Sequence, residues 1–380
     1  MKIIADQNII YAKEAFSDLG EVICIPSYSI NNEELRDAEV VLVRSVTPVT
    51  KELLEGTKVK FVASATIGID HVDLEYLQQN NIGFAHAPGS NANSVAEYIF
   101  SAIFATTGLN YWELSGKKMG IIGVGNVGSR VLRIAKTLGI ECLLNDPPKK
   151  RLTQSEYYLP LEQVIAEADF TTIHVPLISS GDDSTYHMVN SEFISAARKG
   201  SVLINTSRGK VIDEKVLRSM RDHFSNVVLD VWENEPAINT ETVRMVDIAT
   251  PHIAGYSFDG KVTGTEMIQE AAYAFFFAKS SWSVCPEEIS CIHDTLDLRQ
   301  SKDPVVEAIH RAYPISEDDK QFRAILKVKK EQQPSVFEEL RKNYPKRYEF
   351  THYKVLVRPD QKEEKCILSD LGFIVEQKKI

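Results

Sequence analysis

Three polar residues, Arg208, Glu235 and His252, lie at or just beyond the ends of short apolar runs that read as strands. Together they could move a hydride off the carbon of a 2-hydroxy acid. That chemistry needs a cation for the carboxylate, and a planar guanidinium suits it because it can donate two parallel hydrogen bonds. It needs a base for the hydroxyl proton as the hydride leaves, and imidazole titrates in the right range. A carboxylate beside the imidazole can orient it and stabilise its charged form. Taken singly, each has a plainer reading: Arg208 a surface ion pair, Glu235 a solvated loop acid, His252 a satisfied loop histidine. What joins them lies upstream.

A short apolar run, Met119 to Ile122, enters Gly123-Val124-Gly125-Asn126-Val127-Gly128. An amphipathic helix follows, with Val131, Leu132, Ala135 and Leu138 at helical spacing, and ends at Gly139. A second strand, Glu141 to Leu144, leads to Asp146, 18 residues after Gly128. Gly123 allows the tight turn, Gly125 lets backbone approach a pyrophosphate, and Gly128 lets helix pack closely on strand. The helix N-terminus offers free N–H groups and a partial positive charge to phosphates. Asp146 stands about where a carboxylate meets the adenosine ribose hydroxyls, which predicts NAD rather than NADP. Lys149, Lys150 and Arg151 close by could shield a 2′-phosphate and soften that preference.

The elements that must position these residues alternate strand with helix. Lys2 to Ala5, Glu21 to Ile25, Glu39 to Val43 and Phe61 to Ala63 read as strands, the third a continuous apolar run of the kind found in a doubly covered parallel sheet. Arg44, Ser45, Val46 and Thr47 follow that third strand, at the end where open α/β sheets bind ligands. Asp70 is placed to cap a helix carrying Leu74 and Leu77. A helix from about Asn93 to Ala105 precedes the glycine loop. Beyond Asp146, predicted strands end at His174-Val175, at Thr206-Ser207-Arg208-Gly209, at Asp230 and at Thr250-Pro251-His252. From about Cys285 the character changes, and 286–380, with helices at Pro304 to Arg311 and Pro334 to Lys342 and strands at Tyr353 to Val357 and Phe373 to Val375, reads as a separate α+β domain.

Composition sets the outer bounds. The length suggests two or three domains at roughly 100–200 residues each. Hydrophobic content of 43% and charge of 25% describe an ordinary globular protein. A net charge of −10 argues against a nucleic-acid or anionic-membrane surface. The five cysteines include no CxxC pair, and the N-terminus lacks the long apolar run of a secretory signal, so a reducing cytoplasm is expected. No run approaches 18 apolar residues, so no membrane span is expected. His71, His86, His174 and His187 lack metal-ligand spacing, and no metal site is expected.

The stretches Gly120–Gly128, Asn205–Gly209, Leu229–Pro236 and Thr250–Gly255 resemble the D-isomer-specific 2-hydroxyacid dehydrogenases. The resemblance implies a doubly wound, parallel-sheet (Rossmann) coenzyme domain over 93–255. It also implies a flavodoxin-like substrate domain over 1–92 and 256–284. Arg208 would anchor the carboxylate, His252 serve as acid/base and Glu235 as its partner. Gly123, Gly125, Asn126, Val127, Gly128, Asp146, Val175, Thr206, Ser207, Arg208, Asp230 and Gly255 would hold NAD. Two features narrow the choice. Only 22 residues separate Glu97 from Gly120, too few for the dimerising arm of most members, and the chain carries its C-terminal region instead.

Val-Arg-Ser-Val-Thr at 43–47, His-Ile-Ala-Gly-Tyr at 252–256 and that tail resemble a branch acting on a phosphorylated four-carbon 2-hydroxy acid. This implies NAD-dependent oxidation of 4-phospho-D-erythronate to 2-oxo-3-hydroxy-4-phosphobutanoate, a step toward pyridoxal 5′-phosphate. Ser45, Thr66 and Tyr256 match its substrate contacts, and Arg44 and Arg347 are the candidates for the phosphate. Residues 285–380 would form a homodimer contact in place of the arm. The alternatives are another D-2-hydroxyacid dehydrogenase, such as 3-phosphoglycerate dehydrogenase, and a dinucleotide-sensing binding protein on the same fold.

Overall fold

Val40–Val43 and Phe61–Ser64 are buried at every position, as strands covered on both faces must be. They belong to a five-stranded parallel sheet in the computed structural model, which describes residues 1–285 and 291–379. Its strands are β1 (Lys2–Asp6), β2 (Glu21–Ile25), β3 (Val40–Val43), β4 (Phe61–Ser64) and β5 (Gly83–His86), in the order β2-β1-β3-β4-β5. That is the flavodoxin-like order, with the switch point between β1 and β3. The sheet forms one unit from Met1–Asn91 and Ser257–Cys291, the returning segment supplying the helix Phe258–Phe275. One local expectation is corrected: the helix Leu74–Gln79 is capped by Asp73, whose carboxylate accepts from the Tyr76 N–H at 2.9 Å, and not by Asp70. Asp70 and His71 lie in a turn closed by the Val72 N–H on the Ile69 carbonyl at 2.9 Å, and Val72 then bridges to Val49, so the helix starts three residues later.

The second unit comprises Ala92–Tyr256 and Ile292–Ile380. Its large sheet contains β6 (Lys118–Ile122), β7 (Glu141–Asn145), β8 (Phe170–Ile173), β9 (Val202–Asn205), β10 (Asn226–Leu229) and β11 (Ile248–Ala249), all parallel, ordered β11-β10-β9-β8-β6-β7. A single parallel bridge between Leu144 and Tyr158 stands on the outer side of β7. With it the order becomes that of a dinucleotide-binding sheet whose third strand has shrunk to one residue pair. One face packs with the helices Ala92–Thr107 and Asn126–Thr137, the other with Ser191–Ala196 and Glu214–Ser219.

The C-terminal region has its own parallel three-stranded sheet, β12 (Asp294–Asp297), β13 (Tyr353–Val357) and β14 (Ile374–Gln377), in the order β12-β13-β14. Its helices include Pro304–Ala312, Ile315–Phe322, Gln333–Lys342 and Lys362–Leu371. An additional C-terminal region of helices and strands is present as the sequence led us to expect; residues 286–290 of the expected 285–380 domain lie outside the described residues. The region also packs into both cores of the coenzyme sheet: Tyr313 and Phe350 join one, and Phe322, Ile325 and Phe337 the other. Phe322 lies 5.5 Å from the Trp232 ring, centroid to centroid, and is wholly buried.

Candidate active site

The glycine loop is built by close contacts. Gly123 has φ 84°, and a Cβ there would stand 2.6 Å from the His174 carbonyl oxygen. A Cβ on Gly128 would strike the Gly123 oxygen at 2.0 Å, so helix and turn can meet only with glycine between them. Around Gly125 the space is open. No side chain caps the helix that begins at Asn126, which leaves its N-terminal N–H groups for another partner. Behind the loop, the half-buried His174 lies 3.0 Å from the Thr172 hydroxyl, and desolvation pushes its imidazole down to about 3, so it stays neutral.

Asp146 ties this loop to the end of β7. Its carboxylate accepts from the Val124 N–H at 2.9 Å and from the Lys149 N–H at 3.0 Å. The Lys149 ammonium donates to the Val124 carbonyl and Arg151 pairs with Asp183, so two of the three nearby cations already have partners. Thr206 Oγ1 is buried with no hydrogen-bond partner among the described residues. The open cradle at Gly125, the uncapped helix and this orphaned hydroxyl fit a dinucleotide. With Asp146 at the ribose, kcat/KM with NADP should fall at least roughly tenfold below that with NAD. Asp146→Ala should narrow the gap, and equal efficiencies in the wild type would defeat the assignment.

Asn205, at the end of β9, shapes the loop that presents Arg208. Its amide oxygen accepts from the Ser207 N–H at 3.0 Å and the Ser207 hydroxyl at 2.7 Å, while its NH2 donates to the Arg208 carbonyl at 3.0 Å. The half-buried Arg208 guanidinium donates to the Ser207 carbonyl at 2.8 Å. A Cβ on Gly209 would stand 1.9 Å from the Trp232 carbonyl oxygen, so only glycine lets the Arg208 loop press against the loop after β10.

That second loop carries Glu235, which meets His252 on the loop after β11. Glu235 Oε2 lies 2.8 Å from His252 Nδ1, and Oε1 accepts from the Trp232 N–H at 2.7 Å. A carboxylate only accepts, so Nδ1 carries the proton and Nε2 is left as the basic nitrogen. Asp230 builds the His252 loop from below. Its carboxylate accepts from the Thr250 hydroxyl at 2.6 Å and from the Ile253 and Ala254 N–H groups at 2.8 and 3.0 Å. The His252 N–H donates to the Asp230 carbonyl at 2.7 Å. The Trp232 indole N–H closes the frame on the Thr250 carbonyl at 2.8 Å.

Burial pushes Asp230 up, against the pull of His252 and its donors. At Glu235 burial also acts upward, but His252, its hydrogen bond, the Trp232 N–H and the charge of Arg341 outweigh it and hold the carboxyl below its ordinary value. Glu235 therefore contributes stability that is complete above the ordinary carboxyl range and is lost as pH falls through the lowered value.

Val175 follows β8, and Gly255 follows the Asp230-bound Ala254 on the His252 loop. In the first unit, Arg44 and Ser45 follow β3, and Thr66, after β4, shares a 2.7 Å hydrogen bond with Ser64. The backbone carbonyl of Arg44 accepts from the Thr47 N–H at 3.1 Å, which turns the chain and leaves the guanidinium to the side chain's own reach.

Arg347 behaves differently from the expectation that it reaches the substrate phosphate. It is buried and turned into the protein, donating to the Tyr256 carbonyl at 3.1 Å, the Ala254 carbonyl at 3.0 Å and the Ser94 hydroxyl. Its remaining nitrogen faces the buried Glu97 carboxylate at 3.7 Å, and the guanidinium lies 4.1 Å from the Tyr313 ring centroid. It clamps the His252–Tyr256 loop.

Residues missed from sequence include Asn205, Trp232 and Thr250, which position the others, and Arg341. A second histidine–carboxylate pair, His187 Nε2 to Glu233 Oε1 at 2.6 Å, shows why residue type alone could not single out Glu235 and His252.

The class follows from these features together with the match of residues 92–254 to the family described as D-isomer specific 2-hydroxyacid dehydrogenase, NAD binding domain. This is an NAD-dependent dehydrogenase fold and site. Residues 291–372 match a domain of unknown function, DUF3410. The chain is 40% identical to the erythronate-4-phosphate dehydrogenase of Proteus mirabilis over 98% of its own length and 99% of that protein's. It is also 40% identical to that of Salinibacter ruber, over 93% and 94%. The chain belongs to the erythronate-4-phosphate dehydrogenase family.

Among solved structures, D-lactate dehydrogenase from Aquifex aeolicus, complexed with NAD and lactic acid, superposes with a TM-score of 0.61 at 26% identity. It covers 73% of this chain and 96% of its own. NAD-bound 3-phosphoglycerate dehydrogenase from Entamoeba histolytica gives 0.61 at 27% identity, covering 75% and 98%.

Proposed function

We propose that this protein oxidises 4-phospho-D-erythronate to 2-oxo-3-hydroxy-4-phosphobutanoate with NAD, in pyridoxal 5′-phosphate biosynthesis. The 2.8 Å pairing of Glu235 with His252 Nδ1 carries this reading, because it leaves Nε2 as a base of defined tautomer. Arg208 holds the C1 carboxylate. His252 Nε2 takes the C2 hydroxyl proton, and Glu235 stabilises the imidazolium that forms. NAD held at the glycine loop would supply the acceptor for the C2 hydride. Asp230 keeps the His252 loop in place, and Ser45, Thr66 and Tyr256 contact the substrate. Gly123, Gly125, Asn126, Val127, Gly128, Asp146, Val175, Thr206, Ser207 and Gly255 hold the coenzyme.

The test is a panel of 2-hydroxy acids, with and without phosphate, assayed for NADH formation. 4-Phospho-D-erythronate should give the highest kcat/KM, and preference for 3-phospho-D-glycerate or a non-phosphorylated acid would overturn the proposal.

The same reading places the protein in the cytoplasm and makes residues 285–380 the contact of a homodimer. No helix of the described residues is long and apolar enough to cross a membrane. Because Phe322, Ile325 and Phe337 complete a core of the coenzyme sheet, removing this region would expose that core. Sedimentation of the full chain is therefore the informative measurement. A dimer is expected, and a monomer at assay concentration would overturn this part.

A further inference from the structure

The helix Gln333–Lys342 is anchored by Phe337, which is wholly buried, and one turn later it carries Arg341. The Arg341 side chain is only 12% exposed, and its Nε is buried with no hydrogen-bond partner among the described residues. Its guanidinium carbon lies 5.9 Å from the ring centroid of Tyr256 and 5.8 Å from that of Phe337. Its carboxylate contact is Glu338, at 3.4 Å on the same helix and 46% exposed, which makes a weak counter-charge. Its positive charge also reaches Glu235, helping to hold that carboxyl low. Arg341 is thus a largely buried cation that also hydrogen-bonds the Tyr256 side chain but leaves its Nε donor unused, beside the ring expected to touch substrate and within electrostatic reach of Glu235. A guanidinium taken out of water in this way is costly unless an anion completes it.

We propose that Arg341 receives the distal phosphate of the substrate and so sets specificity for a phosphorylated acid. This rests on the function proposed above. With the carboxylate on Arg208 and C2 at His252, the phosphate lies a few bonds beyond C2. The planar fork of Arg341 can offer it two charge-assisted hydrogen bonds there. Tyr256 would form one wall of that subsite.

The test measures kcat and KM for 4-phospho-D-erythronate and for D-erythronate, with wild type, Arg341→Met and Arg341→Lys, and the inhibition of each by inorganic phosphate. Arg341→Met should raise KM for the phosphorylated acid and lower its kcat/KM about 10- to 150-fold, the range for one charged hydrogen-bonding group. That loss should exceed the loss on D-erythronate at least tenfold, and phosphate inhibition should weaken with it. Arg341→Lys, which keeps the charge but not the fork, should recover part of both. Equal losses on the two acids, or unchanged phosphate inhibition, would overturn the proposal. If Arg341→Met does not fold, Arg341→Lys decides by the same ratio. A wild type that leaves 4-phospho-D-erythronate untouched defeats the proposed function instead. Phosphate inhibition of whichever 2-hydroxy acid it oxidises then still decides the role of Arg341.

Discussion

His252→Ala should lower kcat by about 10²–10⁴-fold, the usual contribution of a positioned acid/base. One ring nitrogen of this imidazole is held by a carboxylate, through the 2.8 Å contact with Glu235, and that fixes the other as the basic one. The loop carrying it is pinned by backbone and side-chain bonds to Asp230 that do not involve the imidazole. The variant should therefore fold, melt within a few degrees of wild type and bind NADH normally. Kinetics with 4-phospho-D-erythronate across pH check this. Wild-type kcat with an unchanged pH profile would remove His252 from the chemistry.

The second large effect is on stability. Arg347→Met should cost about 3–5 kcal/mol, the range for breaking a buried ion pair from one side. Glu97 would remain buried without its cation, and the Tyr256 and Ala254 carbonyls would each lose a donor. Urea unfolding followed by circular dichroism would measure the loss. Whatever activity remains should fall equally on phosphorylated and non-phosphorylated acids, because the clamp positions the His252–Tyr256 loop as a whole. Wild-type stability with a loss confined to the phosphorylated acid would return Arg347 to the phosphate site.

The contrast between Arg347 and the glycine loop shows what the sequence could carry. Gly123, Gly125, Gly128 and Asp146 sit within one strand–helix–strand unit, where local spacing and turn chemistry determine the geometry, and they were legible. The strands β3, β4 and β9 were legible for a related reason, since burial on both faces demands an unbroken apolar run. Arg347 meets Ser94 across 253 residues of chain and Glu97 beside it, and no local pattern records such a pairing. β12 was missed because only Leu296 of its four residues is buried, which leaves no alternation to read. Arg341 was missed on similar grounds. Its spacing from Phe337 marks one helix face, but that this face lies beside Tyr256 is a tertiary fact.

The proposed chemistry requires the C2 hydrogen to leave as hydride while the hydroxyl proton goes to His252. Oxidation of 4-phospho-D-erythronate deuterated at C2, in ordinary water with NAD, tests this directly when the reduced coenzyme is examined by mass spectrometry. One deuterium is expected in each molecule of NADH formed, and none released to solvent. Deuterium appearing in water, or no reduced coenzyme at all, would contradict it.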